Sequence, residues 1–178
     1  MKVSKLLGGL GNTDGIAAIE FAFIAPIMIV LAFAVIQFSD VSQCLSKVQA
    51  VATTASDMVS QQKELTNSGR DEVFAAARTV LYPYDGSGAV IVLTSVVDDG
   101  RGHTKVEWSE ANSGNALNEG SSFTPPDGIL QPGGSVIVAQ VTYSYSPPAI
   151  SDFMGTMTFT ETAYSVPRLS AQVARVRS

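Results

Sequence analysis

From Ile16 to Phe38 the chain reads IAAIEFAFIAPIMIVLAFAVIQF, 23 residues in which Glu20 is the only ionisable group. As a helix this run extends ~35 Å at 1.5 Å per residue, enough to cross the hydrocarbon core of a bilayer. It takes so much of a 178-residue chain that what remains is expected to form one small domain. Ahead of it come Lys2, Lys5 and Gly8-Gly9-Leu10-Gly11-Asn12, a stretch without apolar period that reads as a flexible polar leader. The two lysines favour a cytoplasmic N-terminus, although Asp14 before the run and Lys47 and Lys63 after it keep the asymmetry slight. A cleaved secretory signal is the competing reading, with Ala32-Phe33-Ala34 as its small-x-small site. Against it, the run exceeds an h-region of roughly 7–15 residues, carries a carboxylate near its start and continues through Val35 and Ile36.

Glu20 and Pro26 break the uniformity of the run. A carboxylate inside an apolar span costs about 2.5–3.5 kcal/mol on insertion scales, so it marks a partner or a pathway unless it sits near enough to the helix start to reach the headgroups. Pro26 has no N–H for the carbonyl of Ala22 and is expected to bend or open the helix there. Neighbouring helices would shelter such a gap.

Beyond the span, Val41, Leu45, Val48, Ala52, Ala55 and Val59 recur at steps of four and three, flanked by Cys44, Val51 and Met58. This is the stripe of an amphipathic helix running to about Lys63, with Thr66-Asn67-Ser68-Gly69 as its break. Ser68 is the expected N-cap of a short second helix, with Asp71 and Glu72 in its first turn, an apolar side of Val73, Phe74, Ala77, Val80 and Leu81, and Pro83 at its end.

After Gly88 the pattern becomes short β-branched runs between Gly, Pro, Asp and Asn. Residues 89–97 and 103–108 flank Asp98-Asp99-Gly100-Arg101-Gly102 as a hairpin, and residues 110–132 read as an exposed excursion. Residues 136–145 alternate Val136, Val138, Gln140, Thr142, Ser144 against Ile137, Ala139, Val141, Tyr143, Tyr145, and 156–165 form a further strand. Residues 169–176 are expected to add a last piece or to fray. The expected fold is therefore α+β: a long N-terminal helix, a short second helix and an antiparallel sheet of four to five strands. The residues from about Gln61 onward contain their own apolar faces and are expected to fold without the long helix.

The segment Gly15-Ile16-Ala17-Ala18-Ile19-Glu20-Phe21-Ala22, followed by Pro26, resembles the TadE/TadG-like minor pilins, or pseudopilins, of the Tad (Flp) type IVb pilus system. Residues 135–147 and 162–170, including Thr162-Ala163-Tyr164-Ser165-Val166-Pro167-Arg168, are similar in character to later parts of such proteins. The resemblance implies a pilin-like fold in the bacterial inner membrane. It divides the chain into a cytoplasmic leader (1–15), a transmembrane helix (16–38), an extracytoplasmic extension of that helix (39–63) and a periplasmic α+β domain (64–178), with incorporation into an extracellular pilus as a further implication. It makes Gly15 and Ile16 the two sides of a prepilin peptidase cut, and Glu20, with Phe21 and Pro26 of the same motif, the assembly residues. The implied partners are the prepilin peptidase, other minor pilins, the major Flp pilin and the inner-membrane assembly platform, besides the lipid bilayer.

Composition argues in the same direction. A net charge of −5 with 11 Lys plus Arg leaves no basic stripe for a run of phosphates, so nucleic acid is not an expected partner. The lone Cys44 closes no intrachain disulfide and reads as an apolar filler. His103 is the only histidine, too little for a metal site or a catalytic group, and no cofactor is expected. Asp98-Asp99-Gly100 lacks the spaced oxygens of a calcium loop and reads as turn chemistry. The alternative to a pseudopilin is an uncleaved, membrane-anchored periplasmic binding or envelope protein with the 110–132 loop as its contact surface.

Overall fold

The structure is a computed structural model that describes residues 13–148, 151 and 155–177. Most of the expected leader, residues 1–12, lies outside the described residues. The elements run α1 (Thr13–Ser60), β1 (Glu64–Leu65), α2 (Asn67–Thr79), a 3-10 turn (Gly86–Gly88), β2 (Val90–Asp98), β3 (Thr104–Ala111), β4 (Ser135–Tyr145), β5 (Met157–Ser165) and β6 (Ala174–Arg175). Four strands form an antiparallel sheet in the order β3-β2-β4-β5, and β1 and β6 form a separate parallel pair. The fold is α+β with a long N-terminal helix. Two compact units divide the chain, one ending at Asp40 and one running Val41–Ser178.

In the first unit α1 is apolar on every side. Ile16, Ile19, Phe21, Phe23, Ile27, Val30, Phe33, Val35 and Phe38 are all well over half exposed, and among the described residues this is the one helix long and apolar enough to cross a membrane. A helix that is apolar all round needs an apolar environment on all sides. Pro26 stands inside it without interrupting the helical run.

In the second unit the helix buries one stripe only. Cys44, Val48, Val51, Ala52, Ala55 and Val59 are at most 1 % exposed and join the core with Leu65, Val73, Phe74, Ala77 and Leu81, against Ile91, Leu93, Trp108, Ile137, Ala139 and Val141 of the sheet. The expected stripe holds at Val48, Ala52, Ala55 and Val59, with Val41 packed against the core, but Leu45 is 38 % exposed and the expected flanking residues Cys44 and Val51 are fully buried in its place. Residues from 61 onward therefore do not complete a core on their own. Each fully buried aliphatic side chain contributes roughly 1.5–3 kcal/mol, and the stripe supplies several of them.

The helix ends at Ser60, three residues before the expected stop, and β1 starts at Glu64. Thr66, not Ser68, caps α2: its Oγ1 accepts the Gly69 amide at 3.1 Å, whereas the Ser68 hydroxyl donates to Glu72. Val73, Phe74, Ala77 and Leu81 are buried as expected.

The hairpin forms where expected. Asp98 faces Thr104, Gly100 and Gly102 have positive φ (78° and 84°), and Asp99 accepts backbone bonds from Arg101 and His103. The Arg101 amide above all holds the Asp99 carboxyl below the usual carboxylate range. Between Ser95–Trp108 and Val96–Val106 the register skips Glu107, a bulge that kinks the sheet's first strand.

The 110–132 segment differs from expectation. β3 continues to Ala111, and the chain then turns back on it: Gly120 N–H donates to Val106 C=O at 2.8 Å, and Val106 N–H donates to Ser121 C=O at 2.9 Å. Lys105 bridges Ser122, so the outer edge of β3 is covered rather than left open. Phe123, Ile129 and Leu130 then pack on Val96, Val136 and Val138, which point away from the helices. Residues 113–120 stay exposed, as do 122, 124, 126–128 and 131–132, so the segment keeps an exposed outer side as expected.

Candidate functional site

All five residues singled out in the sequence lie on α1, in the first unit. Gly15 is the third helical residue and a side chain there would meet nothing within 4 Å, so the glycine answers no packing need. Ile16 and Glu20 stand four residues apart and share a helix face, with Ile24 one turn further along. Glu20 is exposed. Phe21 is 69 % exposed beside it, and Pro26 follows after about two turns. Every side chain from Ile16 to Phe38 except Ala25 and Gln37 is exposed, so the carboxylate is set in an unbroken apolar surface.

The second unit holds the far end of the same helix through polar contacts that reasoning from the sequence missed. Ser56 Oγ lies 3.1 Å from Ser165 Oγ, the Ser60 carbonyl accepts the Arg168 N–H at 2.9 Å, and the Arg168 guanidinium pairs with Asp57. The last turn of α1 has no basic residue of its own. Arg168 brings a cation to its carbonyl end from over a hundred residues away in sequence.

The C-terminal segment is tied in similarly. Trp108 Nε1 donates to the Val173 carbonyl at 2.7 Å, and Ser135 Oγ donates to Ala171 C=O at 2.7 Å. Arg175, with a side chain only 4 % exposed, donates from Nε to Glu110 at 2.7 Å, from Nη1 to Leu65 C=O at 2.9 Å and from Nη2 to Asn67 at 2.6 Å. Arg70 reaches the second Glu110 oxygen at 3.2 Å. Burial pushes the Glu110 carboxyl up, but the bonds and charges of Arg175 and Arg70 outweigh it and leave the group below its ordinary value. No sequence signal short of the fold pairs Glu110 with residues 40 and 65 positions away.

Cys44, the chain's one cysteine, is a buried core residue, and His103 is an exposed turn residue 3.1 Å from Asp99. Among the described residues no group of three or more His, Cys, Asp or Glu is placed to hold a metal ion.

Compared with known families, residues 15–57 match the family described as TadE-like protein. That stretch holds Gly15, Ile16, Glu20, Phe21 and Pro26, and ends at Asp57, the partner of Arg168. It does not extend to 135–147 or 162–170. No curated protein and no solved structure matches the chain.

Proposed function

We propose that this chain, whose residues 15–57 match the TadE-like family, is a minor pilin, or pseudopilin, that acts in assembling a Tad pilus. Its 16–38 segment crosses the inner membrane, its leader lies in the cytoplasm and residues 64–178 with the 39–63 extension lie in the periplasm. The helix packs with other minor pilins and the major Flp pilin at the inner-membrane assembly platform, and the chain does no chemistry of its own.

One observation carries the reading: a single carboxylate, Glu20, interrupts an apolar helix surface that is exposed on all sides, four residues after Ile16. Prepilin peptidase cuts between Gly15 and Ile16. Both residues lie in the first turn of α1, the part of a helix that frays most readily into the extended form a protease accepts. The freed amine of Ile16 on an incoming subunit is then a cation in apolar surroundings, and Glu20 of a neighbour neutralises it. Either charge buried alone costs several kcal/mol, so the pair fixes the axial register between subunits more than it adds net stability.

Glu20→Gln preserves size and removes the charge. The variant is expected to insert and to be cleaved, yet to lose co-purification with pilin partners and piliation. Wild-type piliation at wild-type expression would reduce Glu20 to a tolerated interfacial residue. Intact mass of the membrane-extracted protein checks the processing separately: an N-terminus at Ile16 in peptidase-positive cells is expected, and one near Met1 removes the pseudopilin assignment.

A further inference from the structure

The second unit contains a cation with no counter-charge among the described residues. A cleft of about 290 Å³ lies beside α2, walled by Arg70, Asp71, Phe74, Ala75 and Arg78 of the helix and by Ala111 and Asn112 at the end of β3. Its polar groups are mostly spent. Arg70 pairs with Asp71 at 2.8 Å and with Glu110 at 3.2 Å. Asn112 accepts the Ile91 N–H at 2.8 Å and donates to the Ala89 carbonyl at 2.8 Å.

Arg78 is the exception. Its side chain makes no hydrogen bond or ion pair with any described residue, and its Nε is shut off from solvent without an acceptor. Nothing ties its guanidinium down, so turning toward an incoming oxygen breaks no bond and gives Nε its first acceptor. The charges linked through the cleft and Glu110 are Arg70, Arg78, Arg175 and Arg177 against Asp71, Glu110 and Glu119. Four positive and three negative groups leave one positive in excess, on a chain whose net charge is −5.

The geometry points to this cleft as a socket for one carboxylate, an Asp or Glu side chain presented by a partner protein and held by Arg78. A planar carboxylate matches the guanidinium fork bidentately. A phosphate dianion fits worse, because Asp71 in the cleft wall and Glu110 behind Arg70 repel a second negative charge. Phe74, Ala75 and Ala111 offer apolar contact to the methylenes that lead to a side-chain carboxylate, and the cleft is at the small end of ligand pockets, matched to one side chain.

The test uses the full-length protein in lipid nanodiscs with ¹⁵N-labelled arginine, following the Arg78 Nε–Hε resonance. N-acetyl-glutamic acid α-amide, the neutral N-acetyl-glutamine amide, acetate and inorganic phosphate are the probes. A saturable shift with the glutamate probe, at least tenfold weaker for acetate and absent for the glutamine probe, is the expected result. Arg78→Gln should abolish it, and Ala75→Glu, which places a competing carboxylate on the exposed wall of the cleft, should suppress it even if Arg78→Gln fails to fold. Equal binding of acetate and the glutamate probe would make the site one for small anions and overturn the partner. Tighter binding of phosphate would overturn the carboxylate, and no shift with any probe would overturn the site.

Discussion

The two halves of α1 are one helix built for two solvents. Between Ile16 and Phe38 it shows large apolar side chains on every side, with one carboxylate and one proline among them; between Val41 and Val59 it buries a single stripe and turns Ser46, Gln49 and Thr53 outward. The difference is one of pattern more than of propensity. An all-round apolar surface has no preferred face and takes its neighbours from lipid or from other helices, whereas a stripe has one face and finds it in the protein's own sheet. The same helix is therefore anchor in its first half and core in its second.

Cutting the helix in two is the strongest way to break that comparison. A chain beginning at Val41 keeps the whole stripe and is expected to fold, giving a dispersed amide spectrum and a blue-shifted emission from the single tryptophan, Trp108, which is 2 % exposed. A chain beginning at Gln61 loses Cys44, Val48, Val51, Ala52, Ala55 and Val59 from the core at once. Their summed burial rivals the ~5–15 kcal/mol by which a domain is stable, so this chain should be unfolded. A native-like spectrum from it would mean that the second half of the helix is applied to a finished domain instead of completing it.

How much of this could be read from the sequence follows from how local each feature is. The apolar span, the Gly15 to Pro26 motif, the alternation in β4 and the Asp98 to Gly102 turn rest on residues a few positions apart, and the expected elements formed. The inward residue of the 41–59 stripe at 44–45 was ambiguous because Cys44 and Leu45 are both apolar and adjacent; only contact with the sheet decides which one faces in. Thr66 and Ser68 are both capping residues two positions apart, and the choice fell to the one that directly follows β1. The return of residues 120–123 onto β3, the two-residue strands β1 and β6, and the Glu110 network join positions distant in sequence. Nothing in the local pattern marks them. The candidate assembly residues were legible for the same reason the span was: they share one helix.

The Glu110 network sharpens the comparison on its polar side, since Glu20 in the first half of α1 has no partner among the described residues, whereas the partly buried Glu110 of the second unit is held by both Arg175 and Arg70. Glu110→Gln leaves Arg175, 4 % exposed, without a counter-charge and should cost about 3 kcal/mol, read as a lower urea midpoint of Trp108 fluorescence for the full chain in micelles. Because the folded carboxyl sits below its ordinary value of 4.5, its stabilisation is complete above that pH and is lost as pH falls through the lowered folded value. Asp85 and Asp99, also lowered, weaken the fold in acid in the same direction. The diagnostic is therefore the difference: the loss of stability from pH 7 to acid should be smaller in Glu110→Gln than in the wild type, and an equal loss would deny Glu110 its share.

The smallest effect is expected where the second half of α1 ends. Arg168 and Asp57 are 60 % and 38 % exposed, and exposed pairs contribute about 0–1 kcal/mol because water screens them and two long side chains must be held still. Two features raise Arg168 within that range. It faces a helix end with no basic residue in its last turn, where a cation gains a further few tenths of a kcal/mol, and its backbone N–H already holds the Ser60 carbonyl, so its side chain starts partly ordered. Arg168→Ala keeps that backbone bond and should lower stability by under about 1 kcal/mol, with most of the difference gone at high salt. Arg168→Glu should cost somewhat more, since it sets a like charge beside Asp57. A loss above about 2 kcal/mol from the alanine variant would show that the contact between the 166–170 segment and the helix end depends on this side chain and that the core stripe alone does not hold α1 to the domain.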